Sequence, residues 1–175
     1  MTGAPAGSSR YVAGAAGTRL HYRSWEVESP RAAVLVLHGL FEHSRRYREL
    51  AGVLGDAALS TFALDLRGHG ASEGRRGYVR RFEVFLDDVD RFTADVRREL
   101  PDGLPHFLLA HSMGGLVGIR WLEERDPELA GAVITSPWLA LADPPAPWLE
   151  ALARTLSRVL PIVPIPAGLD ADDLS

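Results

Sequence analysis

Four short apolar runs alternate along the chain with longer segments in which apolar residues recur at helical spacing. Short continuous apolar runs are typical of strands buried on both faces of a parallel sheet. The longer segments predict amphipathic helices that cover such a sheet. The alternation therefore predicts the α/β class, with helices on both faces of a mostly parallel sheet. The predicted strands are 32–37, 60–64, 107–110 and 130–135, and the predicted helices are 44–58, 82–100 and a third that follows residue 112 and ends near 126.

Both ends of the chain depart from this alternation. Residues 1–9 are rich in glycine, alanine and serine and predict a disordered tail. Segments 10–13 and 20–25 predict a short antiparallel pair. Seven prolines lie between residues 137 and 166, and an apolar stripe among them predicts a helix over 148–160. We therefore place a domain core at 10–136 and a separate region at 137–175.

Two details of the predicted helices can be checked against a structure. Ser44 stands at the start of its helix, where its hydroxyl could cap the first turn. In helix 82–100 the apolar positions define an inner face, which leaves Asp87, Asp88 and Arg91 expected to face water.

Composition excludes several classes of function. Hydrophobic residues make up 46% and charged residues 24%, the ordinary balance of a soluble globular protein. A net charge of -4 predicts neither nucleic-acid binding nor a polybasic patch for anionic lipid. The absence of cysteine excludes disulfides and thiolate metal sites. No apolar run approaches the roughly 18 residues of a membrane span, and no secretory signal is recognisable, so we expect a cytoplasmic protein.

The most informative stretch is 106–116, H-F-L-L-A-H-S-M-G-G-L, which combines a buried strand, a sharp turn and a helix start. Ser112 stands at the corner, where a strained strand-to-helix turn would lift its hydroxyl clear of the sheet. Ala110 and Gly114, two residues before and after it, are small enough for the backbones to cross. The following helix N-terminus supplies N–H groups and partial positive charge for an oxyanion. This pattern predicts that Ser112 is a nucleophile.

Three motifs in order resemble the monoacylglycerol lipase and lysophospholipase branch of the α/β-hydrolases, also described as serine aminopeptidase-like. They are H-G-L-F-E-H-S-R-R-Y at 38–47, D-L-R-G-H-G-A-S-E-G-R-R-G-Y-V at 65–79 and A-H-S-M-G-G at 110–115. The resemblance runs from about residue 20 to the last residue and covers only the N-terminal part of such a fold. It implies an α/β-hydrolase fold that stops within or after the cap, the lid that would begin at residue 137.

The resemblance also implies a chemistry. The expected substrates are carboxylic esters of the monoacylglycerol or lysophospholipid kind, hydrolysed without a cofactor or metal. The expected oxyanion donors are the backbone N–H groups of Leu40 and Met113, with His38, Gly39 and Gly114 supporting the motifs. Phe41 stands where relatives often carry glycine, which is expected to narrow the pocket mouth.

None of the six histidines is expected to act as general base; they are His21, His38, His43, His69, His106 and His111. His38 and His69 are expected to form hydrogen bonds within the motif loops, and His111 to point away from the serine. We expect His21 and His106 to be exposed strand residues. Asp65 and Arg67 are expected to fasten a loop, and the acidic segment 170–173 to be solvated rather than a metal site.

In α/β-hydrolases the catalytic order is serine, then acid, then histidine. Here one predicted strand follows Ser112 before the cap, and no histidine lies beyond His111, so the family's acid and base have no counterpart. We therefore expect the chain alone to be inactive. With strand 130–135 as an exposed edge, it should be marginally stable, oligomeric or completed by a C-terminal segment.

Two alternatives to an ester hydrolase remain open. One is an inactive truncated hydrolase that binds acyl ligands or a partner, and the other is a peptidase or cofactor-free haloperoxidase on the same fold. Epoxide hydrolases and dehalogenases are disfavoured because they carry aspartate where Ser112 stands.

Overall fold

The computed structural model describes residues 7–140, which form a six-stranded sheet and three α-helices. Two 3₁₀ turns, Ala15–Gly17 and Ser44–Tyr47, lie between these elements. In chain order the elements are β1 (Ser8–Ala13), β2 (Arg19–Trp25), β3 (Ala32–Leu37), α1 (Arg48–Asp56), β4 (Leu59–Leu64), α2 (Glu83–Glu99), β5 (His106–His111), α3 (Ser112–Arg125) and β6 (Gly131–Thr135).

The sheet is mostly parallel, as the alternation predicted. Its strand order is β1-β2-β4-β3-β5-β6, with β4, β3, β5 and β6 parallel to one another. β2 runs antiparallel to both β1 and β4, which confirms the N-terminal antiparallel pair. β1 begins at Ser8, so the last residues of the predicted disordered tail are part of a strand.

Helices cover both faces of the sheet. α2 and α3 pack on one face, where Phe62, Phe92 and Trp121 are fully buried in the larger core. α1 packs on the other face, where Ala51 contacts a smaller core that includes Trp25. The sheet is therefore the middle of three layers, and the carboxyl ends of β3, β4, β5 and β6 share one edge because these strands are parallel.

The prediction that β5 is buried on both faces is wrong for one face. Leu108 and Ala110 are buried, whereas Phe107 and Leu109 are half-buried. The smaller core around α1 lies mainly over β2, β3 and β4, so the corresponding face of β5 is less covered.

Two helix details also differ from prediction. Asp88 does not face water; it is fully buried in α2 against Arg67. Ser44 does not cap a helix with its hydroxyl. It is the buried first residue of the 3₁₀ turn before α1, and its backbone N–H donates to Asp65.

Among the residues that the structure describes, no helix is long and apolar enough to cross a membrane. The predicted helix 148–160, the proline-rich segment from residue 141 onward and the acidic segment 170–173 lie outside those residues.

Candidate active site

Ser112 occupies a strained corner between β5 and α3. β5 ends at His111 and α3 begins at the next residue, with no loop between them. The φ angle of Ser112 is 51°, in the left-handed region that residues with a β-carbon rarely adopt. Strain of this kind costs on the order of 1 kcal/mol and persists only where the surroundings enforce it. The side chain is half-buried.

The first turn of α3 is packed against the end of β3 through glycine. A β-carbon added to Gly114 would lie 2.5 Å from the carbonyl oxygen of His38 and still closer to that of Leu37. No side chain therefore fits at this position. The methyl group of Ala110 is accommodated because a glycine of α3 faces it. A β-carbon built on Gly118 would lie 3.1 Å from that of Ala110, so the alanine methyl faces a residue without a side chain.

The loop after β3 lies directly beside Ser112. A β-carbon placed on Gly39 would be 3.3 Å from the β-carbon of Ser112. Leu40 is the next residue of that loop, and Met113 is the second residue of α3. The first four N–H groups of a helix have no partner within the helix, so the N–H of Met113 has none in α3. The structure thus places the two backbone segments of the predicted oxyanion hole beside Ser112.

His38 is a structural residue of this loop. Its Nδ1–H donates to the carbonyl of Gly39 at 2.7 Å, and its Nε2 accepts from the N–H of Leu66 at 3.0 Å. Burial lowers the pKa of His38 to about 4, so the ring is neutral at pH 7. These two bonds join the loops after β3 and β4, which is the loop hydrogen bonding expected of it.

Glu42 also holds the loop, although sequence reasoning assigned it no role. Its Oε2 accepts from the N–H of Gly39 at 2.9 Å and from the hydroxyl of Tyr47 at 3.5 Å. Burial, with the charge of Glu42, raises the pKa of the Tyr47 phenol. The available signal was a glutamate three residues after a glycine, a spacing at which a side chain can reach back to a backbone N–H.

The loop after β4 is fastened by Asp65. Its carboxylate accepts backbone N–H groups from Ser44 at 2.6 Å and Ala71 at 2.8 Å, and it bonds Nδ1 of His21 at 2.8 Å. Burial raises the pKa of Asp65, but the hydrogen bonds from His21, Ala71 and Ser44 lower it further, so it lies well below its usual range. The predicted fastening role of Asp65 is confirmed.

Arg67 fastens the same loop to α2. Its Nε and Nη2 each donate to Asp88 at 2.8 Å, and Nη2 also donates to the carbonyl of Ala15 at 2.8 Å. The planar guanidinium therefore joins the loop, the helix and the first 3₁₀ turn.

The prediction that His21 and His106 are exposed is wrong. Both are buried, His21 against Asp65 and His106 with its Nδ1 2.7 Å from the carbonyl of Leu104. Burial lowers the pKa of His106. An isolated polar residue in a strand predicts exposure, and only the partners supplied by the fold make burial favourable.

One Ser–His–Asp hydrogen-bond chain exists among the described residues, and it lies away from Ser112. Ser9 Oγ is 2.7 Å from Nε2 of His21, whose Nδ1 bonds Asp65. Ser9 stands within β1 and its neighbours pair along the ladder with β2. Ser9 has no helix N-terminus beside it to supply oxyanion donors. The hydrogen bonds from Ser9 through His21 to Asp65 therefore serve to join β1, β2 and the loop after β4.

The other histidines within residues 7–140 form no hydrogen bond with Ser112. His111 Nδ1 lies 3.0 Å from Thr135 Oγ1, which confirms that it points away from the serine. His69 Nδ1 lies 3.0 Å from the carbonyl of Arg67, and burial lowers its pKa. The described residues thus hold a serine on a strained corner without a histidine bonded to it.

Two cavities lie elsewhere on the sheet. A cleft of about 350 Å³ is lined by Tyr47, Leu109 and Thr135 among others, on the face that carries α1. A larger one of about 540 Å³ lies at the amino end of β5 beside Arg97 and His106. Ser112 lines neither of them.

Comparison with known proteins shows the family of this chain. A profile of the Hydrolase_4 family (serine aminopeptidase, S33) matches residues 28–175. The human monoglyceride lipase is 44% identical over 154 residues, which cover 86% of this chain and 50% of that protein. The monoacylglycerol lipase of Mycolicibacterium smegmatis is 34% identical over 169 residues, covering 96% of this chain and 60% of that protein.

Solved structures show the same fold. The crystal structure of the Paleococcus ferrophilus monoacylglycerol lipase aligns with a TM-score of 0.70 at 36% identity, over 86% of this chain and 56% of that one. The chain thus spans about half the length of the relatives it matches. With its three-layer fold and its serine at the β5–α3 corner, the chain belongs to the Hydrolase_4 (serine aminopeptidase, S33) family of α/β-hydrolases.

Proposed function

We propose that this chain carries the nucleophile and oxyanion hole of a hydrolase of carboxylic esters, with monoacylglycerols or lysophospholipids as the substrate class. The single observation that supports Ser112 most strongly is its left-handed φ of 51° at the first residue of α3. The names of the relatives, monoglyceride and monoacylglycerol lipases, support the substrate class.

The proposed reaction follows from the geometry of the corner. Ser112 Oγ attacks the ester carbonyl, and the oxygen of the tetrahedral intermediate accepts the N–H groups of Leu40 and Met113. A general base, which the described residues do not place at Ser112, would take the hydroxyl proton during the attack and give it to the leaving alcohol. The same base would then take a proton from water, which hydrolyses the acyl-serine to the free acid and restores the serine. Side chains at both donor positions contribute apolar surface only: Met113 is buried in the larger core and Leu40 packs against it.

Whether a general base is available to Ser112 decides between two candidate functions. Removal of triad members in well-studied proteases lowers the rate by on the order of 10⁴ to 10⁶. Since no histidine within residues 7–140 is hydrogen-bonded to Ser112, we propose that Ser112 is only weakly nucleophilic in the 175-residue chain alone. The same observation favours a second candidate, a protein that binds acyl ligands or a partner without turnover.

A fluorophosphonate probe read by intact mass tests the proposal. We expect slow single labelling of the 175-residue chain and rapid labelling of protein isolated from its natural source if that protein also supplies the base. Ser112→Ala should abolish the adduct, whereas the matched variant Ser9→Ala, which alters the serine that is bonded to His21, should leave it unchanged.

The outcomes separate the candidates. An adduct that persists in Ser112→Ala would show that another residue is the nucleophile. No adduct in either preparation, together with saturable binding of a monoacylglycerol ether that cannot be hydrolysed, would favour the binding protein over the enzyme.

A further inference from the structure

The arginines of this acidic chain are concentrated beside the candidate active site. Segments 41–48 and 73–82 together hold seven arginines and two glutamates, a net charge of +5, whereas the whole chain carries -4. The rest of the chain therefore carries -9. Net charge alone predicted no basic patch, because it averages over surfaces of opposite sign.

The fold places the two segments side by side. They follow β3 and β4, which are adjacent parallel strands, so both leave the same edge of the sheet. A β-carbon added to Gly77 would lie 3.7 Å from the ring of Phe41, and that ring is 6.3 Å from the ring of His69. Asp65, the first residue after β4, also links the two loops, because its carboxylate accepts a hydrogen bond from the N–H of Ser44.

We call the exposed arginines and exposed aromatic residues of these two segments the basic rim. Its arginines project from one loop pair, and two large aromatic side chains accompany them. Phe41 is 43% exposed and Tyr78 is 38% exposed. The basic rim consists of Phe41, Arg45, Arg46, Arg48, Arg75, Arg76, Tyr78, Arg80 and Arg81.

Arg76, Arg80 and Arg81 form no ion pair with a carboxylate among the described residues. The guanidinium of Arg76 donates to the carbonyls of Gly68 and Gly70. Arg80 and Arg81 are exposed. Of the two glutamates, Glu73 pairs with Arg19 on β2, and Glu42 pairs with Arg46.

Exposed arginines interspersed with aromatic side chains fit one kind of partner, an anionic lipid surface. Basic side chains are attracted to the negative surface potential of such a bilayer. Aromatic rings partition into its interfacial layer. We infer that the basic rim docks this protein on anionic lipid bilayers, with the Ser112 corner next to the membrane. Gly39, where an added β-carbon would lie 3.3 Å from that of Ser112, is only two residues before Phe41. This docking does not depend on Ser112 being a catalyst.

Vesicle co-sedimentation of the full 175-residue chain tests the inference. We compare vesicles of phosphatidylcholine alone with vesicles that contain about 30% phosphatidylglycerol, at low and high salt. Binding should need the anionic lipid and should weaken strongly between about 0.1 and 0.5 M NaCl, because the screening length shortens. A short DNA duplex serves as a polyanion without a bilayer.

Matched variants locate the surface. Arg80→Glu with Arg81→Glu should weaken partitioning at least about tenfold, given about 1 kcal/mol for each basic residue near the membrane. Arg31→Glu with Arg98→Glu makes the same change in charge at exposed positions near the opposite edge of the sheet and should have little effect. Tyr78→Ala should weaken partitioning several-fold, whereas Tyr11→Ala, at another exposed tyrosine, should not.

Three results would overturn the inference: equal binding to neutral vesicles, equal loss in both arginine double variants, or DNA binding as tight as vesicle binding. Fluorophosphonate labelling of the Arg80 and Arg81 double variant without vesicles provides the separate readout. Unchanged labelling with lost vesicle binding supports docking, and a failure of labelling in the unaltered chain concerns only the proposed function.

Discussion

At the scale of single residues, the candidate site depends on two glycines, whose lack of a side chain lets backbone segments pack closely around Ser112. Ser112 can hold its left-handed backbone only because Gly114 lets α3 approach the end of β3. Gly39 likewise lets the loop after β3 pass the serine. The two backbone segments therefore approach each other closely beside Ser112, as the proposed oxyanion hole requires.

We therefore expect Gly114→Ala to destabilise the fold by at least about 2 kcal/mol, since the new methyl would be forced against two carbonyl oxygens. The matched variant is Gly55→Ala, another helical glycine, where a β-carbon meets only Val27 at 3.7 Å. It should stabilise by about 0.5 to 1 kcal/mol through helix propensity. Urea unfolding followed by circular dichroism measures both, and equal effects would refute the packing argument.

At the scale of elements, α2 does more than cover the sheet. Asp88 accepts two hydrogen bonds from Arg67 and one from the N–H of Ala15, and it is fully buried. One carboxylate thus ties the loop after β4 and the first 3₁₀ turn to the helix. A buried charge of this kind is favourable only while its partners are in place.

Asp88→Ala should accordingly cost about 3 to 5 kcal/mol, because it leaves the guanidinium of Arg67 buried without its counter-charge. Asp87→Ala removes a neighbouring carboxylate that is 42% exposed and pairs with Arg125 on the surface, so it should cost less than about 1 kcal/mol. Thermal and urea unfolding compare the two variants. A loss of stability for Asp87→Ala as large as that for Asp88→Ala would contradict the role given to the buried Asp88–Arg67 pair.

At the scale of the whole molecule, β6 forms one end of the described sheet. Within residues 7–140 it pairs with β5 alone, and Val133 is 56% exposed. An apolar edge strand with unpaired backbone groups favours association with further strands. The expectation of an oligomeric or marginally stable chain therefore stays a prediction that this edge supports.

We expect the melting temperature of the 175-residue chain to rise with protein concentration, as it does when folding is linked to association. Val133→Lys should remove this dependence, since a charge on an edge strand opposes pairing. Val53→Lys introduces the same charge at a valine that is 66% exposed on α1 and should leave the dependence intact. A sharp melt of a monomer at every concentration would contradict the prediction.

The local pattern of the chain was sufficient for the elements and for the candidate nucleophile. Strands β3, β4 and β5 and helix α2 agree with the apolar periodicity to within one residue at each end. Periodicity succeeds here because each element buries a face of its own. The corner at Ser112 was recognisable because its small neighbours and the following helix are contiguous in sequence.

The tertiary structure alone decided which polar residues are buried and which charges gather. His21 and Asp88 looked exposed in their local patterns, yet partners 44 and 21 residues away make their burial favourable. The basic rim arises because β3 and β4 are adjacent and parallel, which joins two loops that lie about 30 residues apart in the chain. Burial and charge clustering depend on contacts between distant segments, and periodicity along the chain carries no information about them.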